Sequence, residues 1–252
     1  MNRRFLLHQF ALAALASRMG RSTVGNRASI KAVAFDGFAI FDPAPVFGLL
    51  RHRFPEKAAE LASLWRARQF EYMWLRSLTG RYADFWQVTE DALRFAAASA
   101  GVDLDSETRT RLMNAWLELR CWPDVPAALH SLRNAGLHLA LLSNMTGSML
   151  QAGIRNSDLS GIFDRVLTTD QAGSYKPDPR AYQMGVKAFG LKREHILFAA
   201  FAGWDANGAK TFGYPTYWVN RLGQPPEHLG APPDGIGANL DDLVKFVLPS
   251  GS

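Results

Sequence analysis

The segment "IKAVAFDGFAIFD", Ile30–Asp42, begins with a mostly apolar run that ends on one carboxylate, Asp36, and Gly37 follows at once. An apolar run of this length is typical of a strand buried on both faces of a parallel sheet. Ligands of open parallel sheets bind just beyond the carboxyl ends of the strands. We therefore predict that Asp36 lies at a ligand-binding edge, where Gly37 gives the backbone room to turn.

Four later stretches repeat this pattern, and helical patterns separate most of them. The predicted strands lie within Gly136–Asn144, Ile162–Asp170, His195–Gly203 and Tyr214–Asn220. Short apolar runs that alternate with helices are typical of an α/β protein whose parallel sheet is covered on both faces. We predict a Rossmann-like core domain made of residues 29–44 and 121–252.

Residues 45–120 break this alternation. They are rich in Leu, Ala, Arg and Trp and show amphipathic helical patterns without a convincing strand. Pro123 and Pro126 mark the return to the core pattern. We predict an inserted α-helical cap domain, in which the aromatic series Trp65, Phe70, Tyr72 and Trp74 packs helices rather than binds a cofactor.

The positive charge of the chain is concentrated at its N-terminus. Residues 1–28 contain five arginines and no acid, and these account for the whole net charge of +5. The remaining residues are electrically balanced, so they offer no basic surface for nucleic acid. Cys121 is the only cysteine, which excludes an intramolecular disulfide and a cysteine metal cluster.

Within that N-terminal segment, Arg3 and Arg4 precede the apolar residues Phe10–Ala16. This order predicts a twin-arginine-like export signal over residues 1–28, and hence a periplasmic or otherwise exported protein. The apolar part is too short to span a membrane as a helix, so no membrane attachment is expected once the signal is removed. The alternative is a basic amphipathic helix on a cytoplasmic protein.

Four predicted strands end on, or lead into, polar residues that carry chemistry. These are Asp36, the pair Ser143–Asn144, Lys176 and Asp205. Each alone has a structural explanation as a turn residue, helix cap or solvated charge. Together at one edge of a sheet, two carboxylates, an ammonium and a hydroxyl–amide pair predict a catalytic site.

The same residues carry a resemblance. The order Asp36, "LLSN" (Leu141–Asn144), "YKPD" (Tyr175–Asp178) and "WDANGAKTFGYPTYWVNR" (Trp204–Arg221) resembles the haloacid dehalogenase superfamily. The cap segment Leu64–Phe95 is similar to that of its L-2-haloacid dehalogenases. This resemblance implies an (S)-2-haloacid dehalogenase, a hydrolase that converts 2-haloalkanoic acids to 2-hydroxy acids through an aspartyl ester. It also implies a homodimer formed through cap helices.

The resemblance also implies a role for each matching residue. Asp36 is the nucleophile, Lys176 keeps it ionised, and Asp205 positions water or Lys176. Arg66 faces the departing halide. The implied substrate- and halide-binding residues are Phe38, Ser143, Asn144, Tyr182 and Trp204, with backbone N–H groups after Ser143 holding the substrate carboxylate.

Three departures from the family pattern bear on activity. Phe38 stands where superfamily phosphatases carry a second Asp, which leaves too few oxygen ligands for Mg²⁺; we therefore expect no metal and no cofactor, and a phosphatase that hydrolyses phosphate esters with magnesium is a disfavoured third alternative. Ile40 replaces a threonine, and Ala200–Ala202 replaces a Ser/Asn-rich stretch. The alternative to an active dehalogenase is thus a weakened or inactive relative that binds a small carboxylate.

Overall fold

The computed structural model describes residues 30–248, so the predicted export signal lies outside the described residues. Its centre is a parallel sheet of six strands in the order β3-β2-β1-β4-β5-β6. The strands are β1 (Ala32–Phe35), β2 (His138–Ser143), β3 (Arg165–Thr168), β4 (Ile196–Ala200), β5 (Thr216–Val219) and β6 (Gly235–Gly237). This α/β architecture confirms the predicted fold class.

Strand β1 is central because its sequence is apolar on both faces. All four of its residues are buried, and it pairs with β2 on one side and β4 on the other. Strand β6 was not predicted. Two of its three residues are glycines, which have low strand propensity, and it forms by pairing with the buried strand β5.

Helices cover both faces of the sheet. They are α6 (Val125–Asn134), α7 (Gly147–Asn156), α8 (Pro179–Phe189), α9 (Gly203–Phe212) and α10 (Leu240–Val247). Helices α8 and α9 end at Gly190 and Gly213, which adopt the left-handed conformation that favours glycine. Nowhere in residues 30–248 is there a helix with the length and apolar character needed to cross a membrane.

Between β1 and α6 the chain is helical. The short α1 (Gly37–Ile40) is followed by α2 (Ala44–Arg53), α3 (Ala58–Leu78), α4 (Phe85–Ser99), α5 (Ser106–Asn114) and a 3₁₀ turn at Ala115–Leu117. We call α2 to the 3₁₀ turn the cap helices. Helices α3 and α4 are joined at a buried contact, where the indole of Trp65 donates to the carbonyl oxygen of Thr89 at 2.8 Å.

The C-terminal half of α3 is hydrogen-bonded to the loop that carries Lys176. The indole of Trp74 donates to the carbonyl oxygen of Lys176 at 3.3 Å, and the backbone N–H of Tyr175 donates to Ser77 Oγ at 3.1 Å. The Tyr175 hydroxyl donates to the carbonyl oxygen of Ala83 at 2.6 Å. The cap helices therefore contact the backbone of a predicted catalytic residue directly.

Candidate active site

Asp36 lies where the first strand ends, as predicted. It is the N-cap of α1, and its Oδ2 accepts a hydrogen bond from the Phe38 backbone N–H at 3.1 Å. Gly37 is needed there for a different reason from the predicted one, because its φ is not positive. A Cβ on Gly37 would lie 2.6 Å from Ser143 Oγ, so glycine allows β2 to approach the nucleophile loop closely.

Lys176 joins the two carboxylates. Its Nζ donates to Asp36 Oδ1 at 2.8 Å, to Asp205 Oδ2 at 2.7 Å and to the carbonyl oxygen of Leu142 at 3.3 Å. These bonds use all three of its protons. Lys176 is fully buried, and Asp36 and Asp205 are 7% and 1% exposed. A buried ammonium between two carboxylates is a fixed charge that orients both of them.

Asp205 lies in the first turn of α9, and its second oxygen is also occupied. The hydroxyl of Tyr182 donates to Asp205 Oδ1 at 2.7 Å. Tyr182 is buried against Phe198 and does not line the cavity described below, which differs from its predicted place near the substrate. A Cβ on Gly208 would lie 2.5 Å from that hydroxyl, so glycine in α9 makes room for the contact.

Burial and the neighbouring opposite charges shift the pKa values of Lys176 and Asp205 in opposite directions. Burial disfavours the Lys176 ammonium, but Asp205 and Asp36 outweigh it and raise the pKa of Lys176 above its usual value. Burial and the neighbouring Asp36 raise the pKa of Asp205 against the opposing effect of Lys176, and the net result is a pKa of about 6. Lys176 therefore stays charged at neutral pH, while Asp205 titrates near it.

A cavity of about 40 Å³ lies between the strand ends and the cap helices. Six of the nine predicted site residues line it: Asp36, Phe38, Arg66, Asn144, Trp204 and Asp205. Asn144 also holds the lysine loop, because its Oδ1 accepts from the Lys176 backbone N–H at 3.0 Å. Of the remaining three, Lys176 lies behind the two carboxylates that it contacts, and Tyr182 and Ser143 do not line the cavity.

Ser143 occupies a supporting position instead. It is 1% exposed, and its Oγ accepts from the Met145 backbone N–H at 3.2 Å. Helix α7 begins only at Gly147, with Thr146 as its N-cap. One of the N–H groups predicted to hold a substrate carboxylate is therefore already engaged within the loop.

Arg66 extends into an aromatic part of the cavity wall. Its guanidinium carbon lies 5.6 Å from the ring centre of Phe47 and 6.0 Å from that of Phe70. Among residues 30–248, no carboxylate forms an ion pair with it. Burial lowers the pKa of Arg66 from its usual value, so the cation gains from an anion bound beside it.

Several lining residues were not predicted as site residues. From α3 these are Gln69, Phe70 and Met73, and from other segments Pro43, Phe47, Phe85, Trp116, Phe201 and Ala202. Phe70, which was predicted to pack helices rather than bind a cofactor, packs against Trp74 and Trp204 and also forms part of the wall. The spacing i, i+3, i+4, i+7 places Arg66, Gln69, Phe70 and Met73 on one face of α3. The three unpredicted residues of α3 could therefore have been predicted from the helical spacing relative to Arg66.

Residues 30–213 match the model of the haloacid dehalogenase-like hydrolases. An (S)-2-haloacid dehalogenase of Pseudomonas sp. (strain YL) is 44% identical over 201 residues, covering 79% of this chain and 87% of the relative. A crystal structure of an L-2-haloacid dehalogenase is 41% identical, with a TM-score of 0.85 and coverage of 87% and 99%. The enzyme from Xanthobacter autotrophicus, solved with chloropropionic acid covalently bound, is 32% identical, with a TM-score of 0.81 and coverage of 88% and 100%.

The family match over residues 30–213 includes strands β1 to β4 and the cap helices. These similarities agree with the resemblance carried by Asp36, Lys176 and the segment after Trp204. The chain belongs to the haloacid dehalogenase-like hydrolases and, within them, is a relative of the L-2-haloacid dehalogenases.

Proposed function

We propose that this protein is an (S)-2-haloacid dehalogenase that hydrolyses the carbon–halogen bond of small 2-haloalkanoic acids. The observation that carries the proposal is the pairing of Asp36 with a fully buried Lys176 at a cavity that is also lined by the cation Arg66, which has no ion-pair partner among residues 30–248. A carboxylate nucleophile and a separate anion-binding group are what displacement of halide by Asp36 requires.

In the first step, a carboxylate oxygen of Asp36 attacks C2 of the substrate from the side opposite the halogen. A C–O bond forms, the C–X bond breaks, and the halide leaves with the bonding electrons. Lys176 holds Asp36 in place, and Arg66 lies in the wall where negative charge can be received. The configuration at C2 is inverted.

In the second step, water attacks the aspartyl carbonyl carbon of the ester. The acyl–oxygen bond breaks, the 2-hydroxy acid leaves, and one water oxygen stays in the regenerated carboxylate. The proton lost by water passes to a base, and Asp205, with its pKa of about 6, is the second carboxylate at the site. The sum is haloacid plus water giving hydroxy acid, halide and a proton.

The cavity wall favours this chemistry because it is largely aromatic. Hydrated carboxylates are weak nucleophiles, and an apolar wall removes water from Asp36 when substrate is bound. The cavity is small, with a volume of about 40 Å³. We therefore expect short acids such as 2-chloropropanoate to be preferred over longer ones.

The direct test is chloride release from (S)-2-chloropropanoate, with Asp36→Asn as the inactive variant. Asp241→Asn is the matched control, because Asp241 is an exposed acid in the first turn of α10. Single turnover in ¹⁸O-labelled water should place the label in the side chain of Asp36, detected by mass spectrometry. Absence of chloride release across several 2-haloacids, from a folded enzyme, would refute the proposal.

A second candidate is a weakened relative that binds small carboxylates. It is favoured by Phe201 and Ala202, which line the cavity where the family pattern has polar residues. Ala202 is also the N-cap of α9 and has no side-chain capping bond, so Ala202→Asn can supply both an amide and a cap. Under this hypothesis Ile40→Thr with Ala202→Asn raises chloride release sharply, whereas an already active parent excludes it.

We further propose that residues 1–28 direct export. The support is the arginine pair Arg3–Arg4 followed by the apolar segment Phe10–Ala16. Expression of the full chain followed by cell fractionation tests this, with Arg3→Lys plus Arg4→Lys as the variant that should stay in the cytoplasm. Equal distribution of both forms contradicts it.

A further inference from the structure

The indole N–H of Trp116 is an exception among the buried donors. Within residues 30–248, two buried side-chain polar atoms have no hydrogen-bond partner, Trp116 Nε1 and Thr169 Oγ1. Of the two residues, Trp116 lines the cavity between the strand ends and the cap helices. Since nearly all buried polar groups are hydrogen-bonded, a buried donor without a partner on a residue that lines the cavity requires an explanation.

Other tryptophans show what an indole N–H does elsewhere in this protein. Each of four donates to a backbone carbonyl oxygen at 2.8 to 3.3 Å: Trp65 to Thr89, Trp74 to Lys176, Trp122 to Phe38 and Trp218 to Phe201. Trp116 differs from these four because its buried N–H has no such carbonyl as a partner among residues 30–248.

The ring of Trp116 is held firmly. It is 2% exposed, and its centre lies 6.0 Å from that of Phe38 and 6.2 Å from that of Phe47. A rigid donor loses little conformational entropy when it binds a ligand. The guanidinium of Arg66 also lies over the ring of Phe47, so two donors that have no polar partner among residues 30–248 both contact the same aromatic residue.

We propose that Trp116 Nε1–H is a further anion-binding donor of this active site and acts together with Arg66. The inference rests on the proposed function, because the anion is the substrate carboxylate or the released halide. Both accept hydrogen bonds without donating any, and such charge-assisted bonds are stronger than neutral ones. The aromatic surroundings strengthen them further by excluding water.

The competing explanation is an N–H group that points at an aromatic face. Trp116 is nearly perpendicular to the rings of Phe47, Trp65 and Phe85, with interplanar angles of 89°, 90° and 87°. A contact of this kind would satisfy the N–H weakly without any ligand. The two explanations differ in whether removal of the N–H weakens anion binding.

The experiment titrates the full chain with sodium bromide and, separately, with sodium propanoate, and measures binding by calorimetry. Trp116→Phe should weaken the binding of at least one anion about tenfold, which corresponds to about 1.4 kcal/mol. Loss for bromide assigns the donor to the halide, and loss for propanoate assigns it to the carboxylate. A change below about twofold for both anions overturns the proposal.

Trp65→Phe is the matched control, because it removes a neighbouring buried indole whose N–H already has an acceptor. It should leave both affinities unchanged. If Trp116→Phe does not fold, benzothienylalanine at position 116 removes only the N–H and keeps the ring shape; unchanged binding in that variant also overturns the proposal. Neither probe is turned over, so a parent that binds anions without releasing halide refutes the proposed function and leaves the role of Trp116 testable.

Discussion

The floor and the wall of the cavity differ in whether their charged groups have partners. The floor, which we define as Asp36, Lys176, Tyr182 and Asp205, pairs the ammonium with both carboxylates at 2.7 and 2.8 Å. The wall, defined as Phe47, Arg66, Phe70 and Trp116, contains a cation and an indole N–H without a polar partner among residues 30–248. The floor is complete without a ligand, and the wall is completed by one.

This difference separates stability from function. Removing one member of a buried ion network leaves a charge uncompensated, which costs several kcal/mol. Removing a cation that has no partner spares the fold that cost. We therefore expect changes in the floor to reduce both the free energy of unfolding and activity, and changes in the wall to reduce activity and anion binding alone.

The largest effect is expected from Lys176→Met. The substitution keeps the side-chain volume but leaves two buried carboxylates facing each other, so the free energy of unfolding should fall by about 3–5 kcal/mol. Chloride release should fall at least about a thousandfold. Urea denaturation and a halide assay measure both, with the exposed Lys187→Met as control. A stable Lys176→Met protein would show that the floor does not depend on this charge.

Arg66→Met should affect activity nearly as strongly but not stability. Chloride release should fall about a hundredfold, because the wall loses its cation. The free energy of unfolding should change by less than about 1 kcal/mol, since loss of the ring contacts is offset by removal of an unpaired charge. Arg68→Met is the control from the same helix, where Arg68 already pairs with Glu71 at 2.6 Å. A large loss of stability in Arg66→Met would remove the distinction between floor and wall.

The pH dependence of stability tests the floor more finely. Burial raises the pKa of Asp205 from 3.8 to about 6 in the fold. A carboxyl group with a raised pKa stabilises the fold fully below pH 3.8, and this contribution is lost as the pH rises through 6. The free energy of unfolding, taken relative to Asp205→Asn, should thus decrease between pH 4 and about 6.5, by at most about 1.4 kcal/mol per pH unit. A difference that increases over this range would contradict the raised pKa.

The smallest effects are expected from two glycines, Gly37 next to the nucleophile and Gly48 in α2. Gly37→Ala should reduce the free energy of unfolding by about 1–3 kcal/mol, because the new Cβ would meet Ser143 Oγ at 2.6 Å. Gly48→Ala in α2 should raise it by about 0.5–1 kcal/mol, since its Cβ would have only the end of Arg51 nearby, at 3.8 Å. Thermal unfolding distinguishes the two. Gly37→Ala combined with Ser143→Gly should recover part of the loss, and no recovery would argue against this close contact.

The sequence predicted the floor better than the wall. Asp36, Lys176 and Asp205 follow strands or their loops, and parallel strands bring those ends to one edge whatever the details of packing. Trp116, Phe47 and Phe85 come from three different segments. Whether such an aromatic faces a cavity or another helix depends on how the helices cross, which no local pattern specifies.

Two individual errors have similar causes. Tyr182 was placed near the substrate by resemblance alone, but the absence of a Cβ at Gly208 lets its hydroxyl reach Asp205 from behind. Strand β6 was missed because Gly235 and Gly237 suppress a local strand pattern, and only pairing with β5 defines it. Both features depend on contacts between segments distant in the sequence.

Helix α3 has 21 residues and is about 30 Å long. It carries Arg66 near its middle and, about two and three turns later, Trp74 and Ser77, whose side chains hydrogen-bond to the loop of Lys176. A helix moves as a rigid unit. A displacement of α3 that admits substrate past Arg66 would therefore also displace the backbone of Lys176, whose ammonium contacts Asp36. We expect the enzyme to be inactive while α3 is displaced and the cavity is open to solvent. Asp36 and Lys176 reach the reactive geometry only when α3 returns to the position described here.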